Sequence, residues 1–217
     1  ASSIRDVSEL PARLDDTANG YIVAVGASET KTYYRWESST KRWVEDASKP
    51  AQVVLTNMPI QLTVTLGVYS LVVPTYERRA SGDDTSNPLL RFTEYGITGM
   101  ASLQGRLVLL ANEYVCMSGS DKPLRWFRST VSSVLASDPI EVAGTPSVSS
   151  PYEYGVQFNK DLVLFARTHQ GIVPGSGVIT PSNAVVGVAT GYTFQTSCSP
   201  VVTGRTVFFP APRSQGY

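Results

Sequence analysis

The chain holds a single histidine, His169, set in Arg167-Thr-His-Gln170 between two strand-like runs, and a general base would have to be sought there. Such a base needs a nucleophile and an orienting carboxylate beside it. No G-x-S-x-G elbow is present, so His169 reads as a loop or hydrogen-bonded structural residue. The adjacent aspartates are Asp15-Asp16 and Asp83-Asp84. A glycosidase needs two carboxylates about 5–9.5 Å apart across a sugar, and neighbours along a strand point to opposite faces. The oxygens of Asp83-Asp-Thr-Ser-Asn-Pro88 could ligate Ca²⁺, but the EF-hand spacing and its closing Glu are missing. Asx-turn bonding to nearby backbone N–H groups accounts for the same residues more simply. Gly171, Gly175 and Gly177 form no phosphate loop and read as turns. Cys116 and Cys198 lack metal or redox spacing and read as small buried hydrophobes, with a disulfide between them left open. No catalytic, metal or cofactor-binding residue is assigned, and a non-enzymatic protein is expected.

A second group of residues suits contact rather than catalysis. Thr32-Tyr-Tyr-Arg-Trp-Glu37 and Arg42-Trp-Val-Glu45 form a hairpin around Ser38–Lys41. Alternation puts Tyr34 and Trp36 on one face and Tyr33, Arg35 and Glu37 on the other. Such aromatics could stack on bases or sugars, yet the ribonucleoprotein signature is absent. Aromatics and Arg are enriched at interface cores, so Tyr34, Trp36, Arg42 and Trp43 are the candidate interface residues.

Composition narrows the class. Lys plus Arg and Asp plus Glu number 18 each, which argues against a free-standing nucleic-acid module and leaves room for a neutral wall past which DNA slides. Charged residues at 17% and hydrophobic ones at 42% suit a folded all-β chain. No stretch approaches the roughly 20 apolar residues of a membrane span, and no secretion signal pattern occurs.

What must position these residues is a repeated sheet. Gln104-Gly-Arg-Leu-Val-Leu-Leu110, Asn159-Lys-Asp-Leu-Val-Leu-Phe165 and Thr203-Gly-Arg-Thr-Val-Phe-Phe209 each place a polar turn with a charge before a short apolar run. Each reads as a buried strand entered from a tight turn. Leu107, Leu162 and Thr206 lie 55 and 44 residues apart, close to the ~40–50 residues of a four-stranded propeller blade. About two and a half blades fit, against the roughly four to eight of a closed propeller.

The expected fold is all-β, with incomplete propeller-like blades over 81–217 and an N-terminal β segment over 1–80. Further strands are expected at Tyr21–Val25, Val53–Thr56, Gln61–Leu66, Tyr69–Val73, Tyr114–Met117, Val156–Phe158, Ile172–Val173, Val185–Ala189 and Tyr192–Thr196, with one helical turn at Pro123–Arg128. The turn-rich Ala80–Pro88 is the expected boundary. Ala1 without an initiator Met and a stop at Arg213–Tyr217 just after a strand-like run read as the ends of a fragment.

The order of several motifs carries a family resemblance. These are Leu10-Pro11, Tyr33-Tyr34 with Lys41-Arg42-Trp43, Asn57-Met58-Pro59, Gly82–Pro88, Arg106-Leu107, Ser137-Asp-Pro-Ile-Glu-Val142, Gly204–Phe209 and Pro212-Arg213-Ser214. The series resembles the tail tubular protein B, or nozzle protein, family of short-tailed bacteriophages, across essentially the whole chain but only an internal part of the family's length. That family has an acidic run before the Asp-Pro, where this chain has Ser137.

The resemblance implies a structural virion protein of the phage tail with a propeller-like β domain. It implies a homo-oligomeric ring, a hexamer, that binds the tail adaptor protein (tail tubular protein A), helps anchor tail fibres and lets double-stranded DNA through its lumen without specific binding. The competing reading is a propeller-type glycan hydrolase, or a carbohydrate-binding module stacking sugars on Trp36, Trp43 or Trp126.

Overall fold

The structure, a computed structural model, describes residues 3–27, 31–47, 53–144 and 149–212. The C-terminal Arg213–Tyr217, which the fragment reading and the Pro212-Arg213-Ser214 motif invoke, lies outside the described residues, as does Ala1. The chain divides into two compact units, one of residues 1–89 with 124–135, the other of 90–123 with 136–217.

The first unit is built on the sheet β1 (Ser3–Ile4), β2 (Ile22–Val25), β3 (Thr32–Glu37) and β4 (Arg42–Asp46), paired in that order. β1 runs parallel to β2 and the remaining pairs are antiparallel. Ile-Val-Ala-Val in β2 is buried throughout, as expected of a central strand. The arm before it turns through two 3₁₀ turns, Val7–Glu9 and Asp16–Ala18, whose first amides are capped by the Asp6 and Asp15 carboxylates. β5 (Gln61–Thr65) and β6 (Val68–Val72) form a separate hairpin around Leu66-Gly67, both at positive φ, the signature of a type I′ turn.

Val53–Thr56, expected as a strand, forms no ladder. Val53 accepts one bond from Arg79, but Asn57 in the left-handed region and Pro59, which lacks a donor, end the run. The Ala80–Pro88 turn lies in the first unit, and the chain passes to the second directly after it, between Leu89 and Leu90. Asn87 holds the turn there: buried, its amide donates to Ser81 O and Arg128 O, and its oxygen accepts from Arg128 N, stitching the turn to the returning segment 124–135. That segment is not the expected helical turn at Pro123–Arg128; it lies along Glu77, whose amide donates to Leu124 O, and buries Trp126 and Phe127.

The second unit begins with the single-turn helix α1 (Phe92–Tyr95). Two four-stranded up-and-down antiparallel sheets follow, β7 (Gly99–Leu103), β8 (Arg106–Ala111), β9 (Tyr114–Met117) and β10 (Ile140–Ala143), then β11 (Tyr152–Phe158), β12 (Asp161–Ala166), β13 (Gln170–Val173) and β14 (Gly187–Thr190). A hairpin of β15 (Val201–Thr203) and β16 (Thr206–Phe208) comes last. The repeated motif occupies the same place each time: β8, β12 and β16 are each the second strand, entered through Gln104-Gly105, Asn159-Lys160 and Gly204-Arg205. Gln104, Gly105, Asn159 and Gly204 all have φ between 48° and 72°, so the motif's polar or glycine entry is a backbone requirement. One repeat corresponds to one sheet.

The two sheets of this unit share a core. Leu103, Val108, Leu110, Val115, Met117 and Ile140 of the first meet Tyr152, Leu162, Leu164 and Val173 of the second, and every one is buried. Burial of each large aliphatic is worth about 1.5–3 kcal/mol. Small residues let β7 and β11 approach: a Cβ on Gly99 would collide with Glu153 O, and one on Gly155 would stand 3.1 Å from the Ala101 methyl. The expected strand at Tyr192–Thr196 is instead a single extended crossing, where Phe194 N donates to Arg167 O and Gln195 N to Pro210 O. Its apolar signal comes from Phe194, buried against Phe165, Tyr154 and Phe209. The strand read at Val185–Ala189 starts two residues later. The fold is all-β, built of several small sheets.

Candidate contact surface

Register places Trp36 opposite Trp43 and Tyr34 opposite Glu45, so the four aromatic and acidic side chains share one face of the β3–β4 hairpin. The two indoles meet edge to face, centroids 5.5 Å apart at 62°. Trp43 Nε1 donates to Pro11 O at 2.9 Å, which fixes the Leu10-Pro11 arm across this face. Trp36 is fully enclosed (0% exposed) and is a core residue of this chain. Tyr34 and Trp43 remain half-buried and Arg42 exposed, and these three are the accessible part of the candidate set. Burial, with the Glu45 carboxylate beside it, pushes the Tyr34 phenol upward, so it is a neutral donor.

Between the arm and the hairpin lies an apolar cavity of about 210 Å³, lined by Leu10, Pro11, Leu14, Tyr21, Val23 and Trp43. Small-molecule sites run ≈ 300–1,000 Å³; this one suits a single inserted side chain. Neither Trp36 nor Trp126, 0% and 1% exposed, offers a ring to a sugar.

On the opposite face the polar groups are committed to one another. Asp46, buried, accepts from Arg35 Nε at 2.6 Å and Arg78 Nη1 at 3.0 Å. Burial opposes its ionisation, but the bonds from Arg78, Arg35 and the Ala47 amide outweigh it and hold the carboxyl below the usual range. Asp83 behaves alike. Its Oδ1 takes Thr85 N, Ser86 N and Ser86 Oγ at 3.0–3.1 Å, and its Oδ2 takes Tyr33 Oη at 3.4 Å. Burial raises its pKa, and these donors bring it below normal. Both oxygens are thus engaged, Oδ1 in an Asx turn and Oδ2 with the Tyr33 phenol. Asp15 caps a 3₁₀ turn and Asp16 pairs with Lys41.

In the second unit His169 is buried in the shared core. Its Nε2 lies 3.3 Å from Tyr152 Oη and its Nδ1 3.2 Å from Thr168 Oγ1. Burial lowers the imidazole pKa, partly countered by Glu113, so the ring is neutral near pH 7. Cys116 is buried and Cys198 exposed, and both are free thiols; they do not pair. Burial and the Glu141 carboxylate push the Cys116 thiol far up, which makes it inert.

What the residue types did not announce is a clasp between the two core-sharing sheets. Gln104 donates from Nε2 to Gly175 O and Gly177 O and accepts Ile179 N on Oε1. Arg106, 3% exposed, donates from Nη1 to Ser118 O and Asp138 O, and from Nη2 to Ala136 O and Ile179 O. Asp161, at the equivalent place in the second repeat, accepts Gly175 N at 2.8 Å. The charge that recurs in the sequence motif is thus a loop tie in two of its three copies. The signal lay in the repeat itself, though the partners did not.

Comparison with known proteins gives a consistent result. The whole chain, residues 1–217, matches the bacteriophage nozzle protein family. It is 25% identical over 214 residues to tail tubular protein gp12 of Escherichia phage T7, taking in 95% of this chain and 27% of that protein. The chain therefore spans roughly a quarter of the length of this curated relative.

Proposed function

Because the chain belongs to the bacteriophage nozzle protein family, we propose that it is a structural part of the virion, a segment of the tail nozzle through which the genome leaves. The observation that carries this is the family match over every residue of the chain. The name of the phage T7 relative, a tail tubular protein, points the same way.

In this reading identical copies form a closed ring, a hexamer, whose subunits meet head to tail. The ring binds the tail adaptor protein and the tail fibres, and double-stranded DNA slides through its lumen. The two four-stranded sheets and the β15–β16 hairpin are successive blades of a propeller-like body. Equal numbers of acids and bases favour passage over retention, because each Lys or Arg contact to phosphate releases counterions and adds affinity. The acids singled out in the sequence are held in caps, turns and ion pairs, which suits a mechanical part better than a hydrolase.

The test is electron microscopy of the full-length polypeptide that contains this chain. Rings with a duplex-wide channel, which bind the purified adaptor ring, are expected. A monomer that depolymerises host polysaccharide would overturn the reading.

A further inference from the structure

The β5–β6 hairpin carries a surface that the first unit leaves open. From Val53 to Tyr76 the sequence holds no Asp, Glu, Lys or Arg. Register pairs Leu62 with Leu71 and Val64 with Tyr69 on one face, and Thr63 with Ser70 and Thr65 with Val68 on the other. The first face is wholly apolar. Tyr69 and Leu71 are each 71% exposed, and Leu66 at the tip is 100% exposed. Ile60 and Val73 extend the same stripe beyond the strands and are exposed too.

The ribbon is nonetheless held firmly at its base. The buried Tyr76 donates from Oη to Pro59 O at 2.7 Å, and Pro59 and Pro74 bracket the two strands. A two-stranded ribbon by itself is only marginally stable in water, and this one also shows two unpaired edges among the described residues.

We infer that this ribbon is the tongue with which one copy of the chain grips the next copy in the ring; the inference rests on the ring reading above. Seven side chains exposing on the order of 100 Å² each present roughly 700 Å², above what most monomers leave open and near the ≈ 800 Å² each partner buries in a standard interface. Interface cores are depleted of charge, and so is this face. Contacts between domains of one chain are more polar than obligate subunit contacts, which favours a second copy over a further part of the same polypeptide. A lipid bilayer fits poorly, since five-residue strands rise only about 17 Å against a hydrocarbon core of about 30 Å. A ring closes when each copy offers both halves of one heterologous contact, and a clamped ribbon with open edges is one such half, preorganised for strand addition or face packing.

The experiment uses the full-length protein. Leu62→Glu with Leu71→Glu charges the apolar face, and Thr63→Glu with Ser70→Glu charges the other. Native mass spectrometry reads the assembly, and circular dichroism confirms that each variant is folded. The apolar-face pair raises the concentration of half-assembly by on the order of 100-fold, the size of two lost hot-spot side chains, and the control pair leaves it within a few-fold. Independently, p-benzoylphenylalanine in place of Tyr69 is photolysed in rings mixed from ¹⁴N- and ¹⁵N-labelled copies. Crosslinks joining light to heavy chains support the tongue even if the charged variants misfold. Crosslinks confined within single chains overturn it in favour of coverage by the same polypeptide. Flotation of the wild-type protein on phosphatidylethanolamine–phosphatidylglycerol vesicles, with no protein crosslink, overturns it in favour of lipid. Rings that persist in the apolar-face variant sink the tongue and leave the nozzle reading standing, whereas a wild-type chain that never assembles sinks both.

Discussion

The Arg106 guanidinium donates to the carbonyl oxygen of Asp138 at 2.7 Å inside a core where Arg106 is almost wholly enclosed. The same fork reaches Ser118, Ala136 and Ile179, so one side chain ties β8 to the loop before β10 and to the loop after β13. The planar donor set matters here, because an ammonium cannot address acceptors on several sides in one fixed geometry. Arg106→Met leaves buried carbonyls without donors at about 1–3 kcal/mol each. A loss of roughly 3 kcal/mol or more is expected, and Arg106→Lys falls between that and wild type. Urea unfolding measures both, and a loss under about 1 kcal/mol for the Met variant would show that the clasp contributes little.

Glycine substitutions test how closely the sheets must approach. At Gly99 an added methyl meets the Glu153 carbonyl oxygen, a backbone atom that cannot swing aside, as well as Leu110. Gly99→Ala should therefore separate β7 from β11 and destabilise by about 1–3 kcal/mol, the usual range for overpacking. At Gly177 nothing lies within 4 Å and φ is not left-handed. Gly177→Ala is neutral, or stabilises by up to about 1 kcal/mol through the unfolded chain. Amide hydrogen exchange in β7 and β11 distinguishes the two, with faster exchange in the first variant alone.

Much of this architecture could be read from local chemistry. The three turn-plus-strand motifs gave β8, β12 and β16 because a positive-φ turn followed by an apolar run is encoded within seven residues. The Asx turn at Asp83 was legible for the same reason. What stayed hidden depends on distant partners. Alternation puts Tyr34 and Trp36 on one face, but it does not show that Trp36 is enclosed while Tyr34 stays half-buried, nor that Pro11, 32 residues away, holds Trp43. The Arg106 acceptors Ala136, Asp138 and Ile179 lie 30, 32 and 73 residues away in sequence, and no local pattern announces them. Val53–Thr56 and Tyr192–Thr196 look like strands because they are apolar and extended, yet a strand also needs a neighbour with matching register. The two strands of the apolar ribbon are legible in the sequence, while its exposure is a property of everything that does not pack on it.

Four of the groups with shifted pKa illustrate the pH response. Burial lowers the His169 pKa, so the unfolded chain takes up a proton at a higher pH than the folded one. Stability is full above the ordinary value of 6.5 and declines as pH falls from there to the folded value. Asp46 and Asp83 are held below 3.8 when folded; their contribution is present above 3.8 and is lost as pH falls towards the folded values. At the alkaline end Tyr152 is pushed up to about 12 by burial, with help from Glu113. Its contribution is full below pH 10 and is lost as pH rises through 12. Melting temperature against pH should thus fall in two acid steps and one broad alkaline decline, to which the raised Cys116 thiol contributes from its ordinary value of 9.0 upward. His169→Gln removes the step just below pH 6.5 and keeps the other two; a step that survives in the variant belongs to another group.

The two thiols should separate cleanly in a labelling experiment. Cys198 is exposed, on the chain between Phe194 and β15, whereas Cys116 is fully enclosed in β9 with its sulfur 3.6 Å from Glu141 Oε2. The thiolate is the reactive form, and burial together with the Glu141 charge makes it very unfavourable at Cys116. Iodoacetamide at pH 8 should modify Cys198 in the native protein and leave Cys116 untouched until denaturant is added. Cys198→Ser should abolish native labelling altogether. Because Cys116 lies opposite Leu109 and Glu141 in the core-sharing sheet, its labelling rate also reports the opening of that sheet. In Arg106→Met the Cys116 rate should rise as the clasp is lost, while in Gly177→Ala it stays at the native level. Equal native rates at the two thiols would mean that β8–β10 do not form a closed layer.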